Sequence, residues 1–207
     1  MEKGKFIVLE GLDGSGKGTQ LRLLEDYIKS KGKNVYSTAE PTFSTVGGAI
    51  RDSLGGFTER NAYELSALFL ADRITHNVNP VNGIKKYIGN GIDVICDRYY
   101  YSSFAYQGID ADLEWVMKIN LECREILKPD LCVFLDIDES VCDERIKENR
   151  FSREVYENIE TQKRVRKRFF EVFRILEENE NICIVNADRD AETVSADICA
   201  LYDRIHI

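Results

Sequence analysis

Nine residues near the start of the chain, Gly11-Leu12-Asp13-Gly14-Ser15-Gly16-Lys17-Gly18-Thr19, have the types and spacing of a phosphate-binding loop. A glycine, four residues and then Gly-Lys let the backbone turn with its N–H groups pointing inward around phosphate oxygens. A helix starting at Lys17 adds the positive end of its dipole, and the lysine ammonium can reach the outer phosphates. The apolar run Phe6 to Leu9 before the loop reads as a buried strand, so strand, loop, lysine and helix come in the order the motif requires. The chemistry expected is binding of a nucleoside triphosphate along Gly11 to Thr19, with Lys17 in a catalytic role. A dinucleotide-binding reading from Gly14 and Gly16 fails, because its third glycine would fall where Thr19 stands. After the lysine comes Gly18, where the motif usually has the Ser or Thr whose hydroxyl meets magnesium. Thr19 leaves the helix about 100° further round, so the metal is expected on phosphates, waters and a carboxylate.

Asp97-Arg98, directly after the apolar Val94-Ile95-Cys96, offers a carboxylate and a guanidinium where a strand leaves the sheet. Asp97 can hold Mg2+ through water, and Arg98 can grip a phosphate with two parallel bonds. On these two residues alone, an ion pair that caps the strand is an equal reading. Arginines also cluster at Arg145, Arg150, Arg153, Arg164, Arg166 and Arg168. On a long helix such a run is usually a solvated face, so position decides more than number.

These side chains can meet only if the elements that carry them end on one edge. After the loop, Leu21, Leu23, Leu24, Tyr27 and Ile28 recur at helical spacing up to Lys31-Gly32-Lys33. Asn34 to Ala39 reads as a second strand, ending at Glu40-Pro41. Helices are expected over Ala49 to Leu54, Asn61 to Asn77, a short stretch before Val94, Asp112 to Leu127, Ser140 to Lys147, a stretch ending near Glu178, and Ala191 to Arg204. Leu131 to Leu135 and Ile182 to Val185 read as further strands, and the polar Glu148 to Asn158 has no apolar stripe. Strands separated by helices predict an α/β fold, a five-stranded parallel sheet flanked by helices on both faces. Ligands then collect at the carboxyl ends of the strands: the phosphate loop, Glu40-Pro41, Asp97-Arg98, Asp136 and Asn186-Ala187-Asp188.

With 207 residues and 43% hydrophobic content, the stretch 1–207 reads as one domain, able to bury about 70% of its unfolded surface. A net charge of −8 argues against general nucleic-acid binding. No apolar run approaches about 18 residues and no signal-peptide pattern precedes the first strand, so no membrane partner and a cytoplasmic location are expected. Six cysteines without a C-x-x-C pair, and two histidines, form no zinc pattern. Reduced, buried thiols are expected.

Ile95-Cys96-Asp97-Arg98-Tyr99-Tyr100-Tyr101-Ser102-Ser103-Phe104-Ala105-Tyr106-Gln107 resembles, position for position, a pattern of the thymidylate kinase family. Leu9-Glu10-Gly11-Leu12-Asp13-Gly14-Ser15-Gly16-Lys17 is similar to that family's phosphate loop, acidic residue included, and Phe69-Leu70-Ala71-Asp72-Arg73 resembles its base-binding helix. Lys128-Pro129-Asp130 and the arginine-rich segment around 150 also sit where the family has them. The resemblance implies a P-loop nucleoside monophosphate kinase that transfers the γ-phosphoryl group of ATP to dTMP, giving dTDP and ADP on the way to dTTP. It also implies Mg2+ and a homodimer.

For single residues the resemblance implies that Phe69 stacks on thymine while Arg73, four positions on along the same helix face, bonds the base. Without it, Phe69 reads as core. Ser103 and Gln107 are similar to polar residues that meet the thymine edge, Tyr106 to a ring that crowds the 2′ position, and Asp13 to a carboxylate that approaches the 3′-hydroxyl. Arg98 and Arg51 would hold the monophosphate. Catalysis would then rest on Lys17, Arg98, Asp13 and an arginine on the transferring group, which can contribute ~10³-fold. Some family members carry that arginine in the loop, where this chain has Gly14. It is therefore expected from 148–158, read as a lid, with Arg150 first, Arg153 second, and Arg145 or Arg166 as alternatives. Gly18-Thr19-Gln20 departs from the pattern and is similar to the loop of adenylate kinases, which keeps an adenylate, uridylate or cytidylate kinase open. A module that only hydrolyses or senses ATP is the reading from another class; the acceptor set Phe69, Arg73, Arg98 and Tyr106 speaks against it.

Overall fold

The structure, a computed structural model, describes residues 3–149 and 158–206. Five strands, β1 (Phe6–Gly11), β2 (Val35–Ala39), β3 (Asp93–Asp97), β4 (Leu131–Asp136) and β5 (Ile182–Asn186), form one parallel sheet in the order β2-β3-β1-β4-β5. All six residues of β1 are buried, as a central parallel strand covered on both faces requires. Glu10 is the one charged residue among them, and its exposure is 0%.

Helices α1 (Lys17–Ser30), α2 (Thr45–Leu54), α3 (Ala62–Val78), α4 (Ile84–Gly89), α5 (Tyr100–Tyr106), α6 (Leu113–Leu121), α7 (Glu139–Asn149), α8 (Ile159–Leu176) and α9 (Ala191–Arg204) flank the sheet, with a single 3-10 turn, Gln107–Ile109, after α5. Val165, Phe169, Val172, Phe173 and Leu176 make the buried stripe of α8. Its rings meet Phe134 of β4 at 4.8 Å (Phe169) and 5.1 Å (Phe173). Each such phenylalanine contributes roughly 1.5–3 kcal/mol by leaving water. Cys96, Cys132, Cys142 and Cys199 are buried free thiols.

Three elements depart from the periodicity. Helix α2 starts four residues before the expected Ala49, because the Ser44 side chain caps it by accepting from Gly47 N at 3.0 Å. Helix α6 stops at Leu121 instead of Leu127: the Leu127 N–H is taken by Asn77 Oδ1 at 3.0 Å. Helix α5 had no amphipathic signal because all seven of its residues are buried.

The strand register brings the functional ends together. Leu9 pairs with Asp97, Ala39 with Asp97, Gly11 with Leu135 and Asp136 with Asn186. One edge therefore carries the phosphate loop, Glu40, Asp97-Arg98, Asp136 and the β5 end.

Candidate active site

A cleft of about 830 Å³ opens along this edge. Asp13, Gly14, Ser15, Gly16, Lys17, Gly18 and Thr19 line it from the loop, and Arg51, Phe69, Arg73, Asp97, Arg98, Ser103, Tyr106 and Gln107 line the rest. Gly11 and Leu12, also expected to touch the triphosphate, lie beneath the loop: Leu12 is 1% exposed, and both offer carbonyls to Lys17.

Glycines are needed where the loop turns. Gly14 and Gly16 have φ of 84° and 96°, which side chains other than glycine rarely adopt. A Cβ on Gly14 would stand 2.6 Å from the Cys142 carbonyl oxygen of α7, so an arginine cannot replace it. At Gly18 a Cβ would meet nothing within 4 Å, and the missing hydroxyl there has no steric cause.

The Lys17 ammonium donates to Gly11 O at 3.1 Å and Leu12 O at 2.9 Å. Burial lowers its pKa, Arg98 adds to that, and Asp97, Asp13 and Glu10 oppose it. Arg98 is the one non-glycine residue with positive φ, 66°, among the described residues, a conformation that costs about 1–2 kcal/mol. Its Nη2 meets Asp13 Oδ1 at 2.6 Å and Tyr106 Oη at 3.4 Å, and its Nη1 donates to Ser102 Oγ at 3.0 Å. Burial disfavours its charge, yet Asp13, Tyr106, Asp97 and Glu10 outweigh that and hold it cationic. Tyr106 donates to Asp13 Oδ2 at 3.3 Å, and burial keeps its hydroxyl protonated.

On the far wall Arg73 is 1% exposed. It donates from Nε to Glu40 at 2.8 Å, from Nη1 to Asn120 at 2.5 Å and from Nη2 to Ser103 at 3.1 Å. Phe69, one turn earlier on α3, is half-buried and faces the cleft, so it is not the core residue its type suggests. Gln107 Oε1 is buried and has no hydrogen-bond partner among the described residues. Arg51 donates to the Pro41 and Thr42 carbonyls at 3.1 and 2.6 Å.

Among the alternative arginines, Arg145 reaches the Gly14 carbonyl at 3.4 Å, while Arg166 is engaged with Asp136 at 2.8 Å. Arg150 and Arg153 lie outside the described residues, as does most of 148–158.

Several residues of the site had no assigned role in the sequence. Glu40 joins Arg73 to His76, whose Nδ1 lies 3.0 Å from it. Its only signal was its place at a strand end. Asn120 comes from α6, and nothing in the sequence links it to Arg73. Gln20, Ala187, Arg189, Ala191 and Val194 also line the cleft, and of these only Ala187 lay at an expected strand end.

Asp97 is half-buried, and its Oδ1 has no hydrogen-bond partner among the described residues. No cluster of three or more metal-ligating side chains occurs among the described residues. A carboxylate with one oxygen unpartnered among the described residues, beside a phosphate loop, fits a hard cation held mainly by phosphate and water.

A phosphate loop at the head of a β2-β3-β1-β4-β5 parallel sheet, with one cleft that runs from it past Arg98 to Phe69, Arg73 and Gln107, is the architecture of a P-loop nucleoside monophosphate kinase. A family model described as thymidylate kinase matches residues 9–198, and the chain belongs to the thymidylate kinase family. A probable thymidylate kinase of Thermococcus gammatolerans is 38% identical over 210 residues, covering 97% of each chain. One from Methanocaldococcus jannaschii is 37% identical over 199 residues, covering 96% of this chain and 95% of its own. The solved thymidylate kinase of Candida albicans shares the fold with a TM-score of 0.81 at 23% identity, over 99% of this chain and 94% of that one. The adenylate-kinase-like Gly18-Thr19-Gln20 therefore sits inside a thymidylate kinase chain.

Proposed function

We propose that this cleft transfers the γ-phosphoryl group of ATP to dTMP, giving dTDP and ADP. Arg98 carries the reading: one guanidinium touches Asp13 of the phosphate loop and Tyr106 of the opposite wall, so donor and acceptor sides share a cation at their junction. The acceptor phosphate oxygen is already anionic, so positioning and charge neutralisation suffice without a strong base.

Lys17 and the loop amides hold the ATP phosphates, Arg98 with Arg51 the acceptor phosphate, and Asp13 the 3′-hydroxyl. Phe69, Arg73, Ser103 and Gln107 receive thymine, and Tyr106 fills the space a 2′-hydroxyl needs. Ala187, Arg189 and Val194 suit the donor base. Asp97 would hold Mg2+ through water, and the ion would supply charge neutralisation on the transferring phosphates. The chain acts as one domain, with 148–158 as the lid and Arg150 or Arg153 on the transferring group. Family likeness supports a cytoplasmic homodimer.

A coupled assay across dTMP, dUMP, AMP, UMP and CMP should give dTMP the highest kcat/KM, with turnover abolished by excess EDTA and restored by Mg2+. A preference for AMP overturns the substrate, and full activity in EDTA removes Mg2+. Arg98→Ala should lower kcat/KM for dTMP by at least about tenfold while KM for ATP changes little. Near-normal acceptor kinetics would refute its role.

A further inference from the structure

We propose that Glu10, a residue outside the lining of the cleft, is the positioning residue for Arg98. Glu10 lies in β1, fully buried, and its carboxylate accepts from Tyr99 N at 2.8 Å, Ser102 N at 3.1 Å and Ser102 Oγ at 2.6 Å. Tyr99 and Ser102 flank the start of α5, whose N-cap Tyr99 provides no side-chain cap of its own. The strand next door therefore supplies the acceptor that the helix end lacks.

Two consequences meet at Arg98. The first concerns its backbone. Arg98 N donates to Leu9 O at 2.9 Å, and the next amide, Tyr99 N, donates to the Glu10 carboxylate. Consecutive residues of β1 thus pin the amides on both sides of the strained φ of 66°, and such a conformation persists only where its surroundings over-determine it. The second concerns the side chain. Ser102 has a single hydroxyl proton, and giving it to Glu10 turns the oxygen lone pairs toward Arg98 Nη1, 3.0 Å away. With Nη1 held there, Nη2 faces Asp13 and Tyr106. One carboxylate so sets both the backbone and the fork of the arginine at the donor–acceptor junction.

Glutamine at position 10 can accept from the two amides but presents an N–H to Ser102 Oγ, which takes one lone pair and leaves the hydroxyl proton unanchored, so the Arg98 fork loses its fixed acceptor. Glu10→Gln, measured at a temperature where it is fully folded, should lose about tenfold in kcat/KM for dTMP, with KM for ATP within twofold of wild type. Ser102→Ala removes the relay and leaves both amide bonds; it should show the same split between acceptor and donor parameters. In an Arg98→Ala background, Glu10→Gln should cause no further loss in dTMP binding by calorimetry or in kcat/KM. A purely structural Glu10 predicts the same loss with and without Arg98, and that result overturns the proposal. Wild-type kinetics in Glu10→Gln overturn it as well. If Glu10→Gln does not fold, Ser102→Ala alone decides: the split supports the relay and wild-type behaviour removes it. The inference rests on Arg98 serving the acceptor. If Arg98→Ala keeps full dTMP affinity, that assignment fails; if only Arg98→Ala is impaired, the assignment stands and the role of Glu10 falls.

Discussion

Lys17→Ala is expected to fold as wild type and to lose about 100-fold or more in kcat. Its ammonium has three donors, and two of them bond the Gly11 and Leu12 carbonyls, which leaves one for a phosphate oxygen. Lys17 is 7% exposed, so its charge acts where water screens little. Burial and the nearby Arg98 lower its pKa, and Asp97, Asp13 and Glu10 oppose that shift. Alanine removes this cation while donor and acceptor phosphates still have to approach each other. Removal of two carbonyl bonds at a loop costs little stability beside that, and circular dichroism should find an intact fold. A coupled ADP-release assay with kcat within threefold of wild type would remove Lys17 from the mechanism.

Arg73→Met is expected to be the most destabilising of the substitutions discussed and to abolish useful dTMP affinity. Arg73 and Glu40 form an ion pair at 2.8 Å with side chains 1% and 2% exposed. Solvent screening cannot soften its loss, and breaking a buried pair by removing one partner costs about 3–5 kcal/mol. For a chain of this size the melting temperature should fall by roughly 10 °C. Glu40 then keeps His76 beside its carboxylate but loses the arginine's charge, so Glu40→Gln in the Arg73→Met background should restore part of the stability without restoring dTMP affinity. Thermal unfolding that shifts by less than 2 °C would show that the pair is not what holds this wall.

The phosphate loop, the five strands and the common edge were legible because each is local: a spacing, an apolar run, a residue just after it. Relationships between distant residues were not. Arg73 was expected to meet the base, but its orientation comes from Glu40 just after β2, Ser103 on α5 and Asn120 on α6. Those three meet only after the chain has folded. Glu10 looked like part of a motif, and its bonds run to residues 89 and 92 positions away. Helix α5 escaped because periodicity needs a polar face, and this helix is buried all round. Arg51 was expected at the phosphate, and its Nη1 is engaged with two backbone carbonyls at the loop after β2. A sequence does not display which donors of an arginine are already in use.

The closeness of Gly14 to the Cys142 carbonyl, 2.6 Å for a Cβ at that position, bears on how such kinases diverge. An arginine mounted on the loop and one supplied from elsewhere in the chain would be two routes to the same charge at the transferring group. No point change converts this chain from one to the other. Helix α7 would first have to retreat from the loop, and a retreat large enough to admit a side chain would also withdraw Arg145 from the Gly14 carbonyl. In this chain main-chain packing keeps a side chain off position 14, and placing an arginine there requires moving α7 away from the loop.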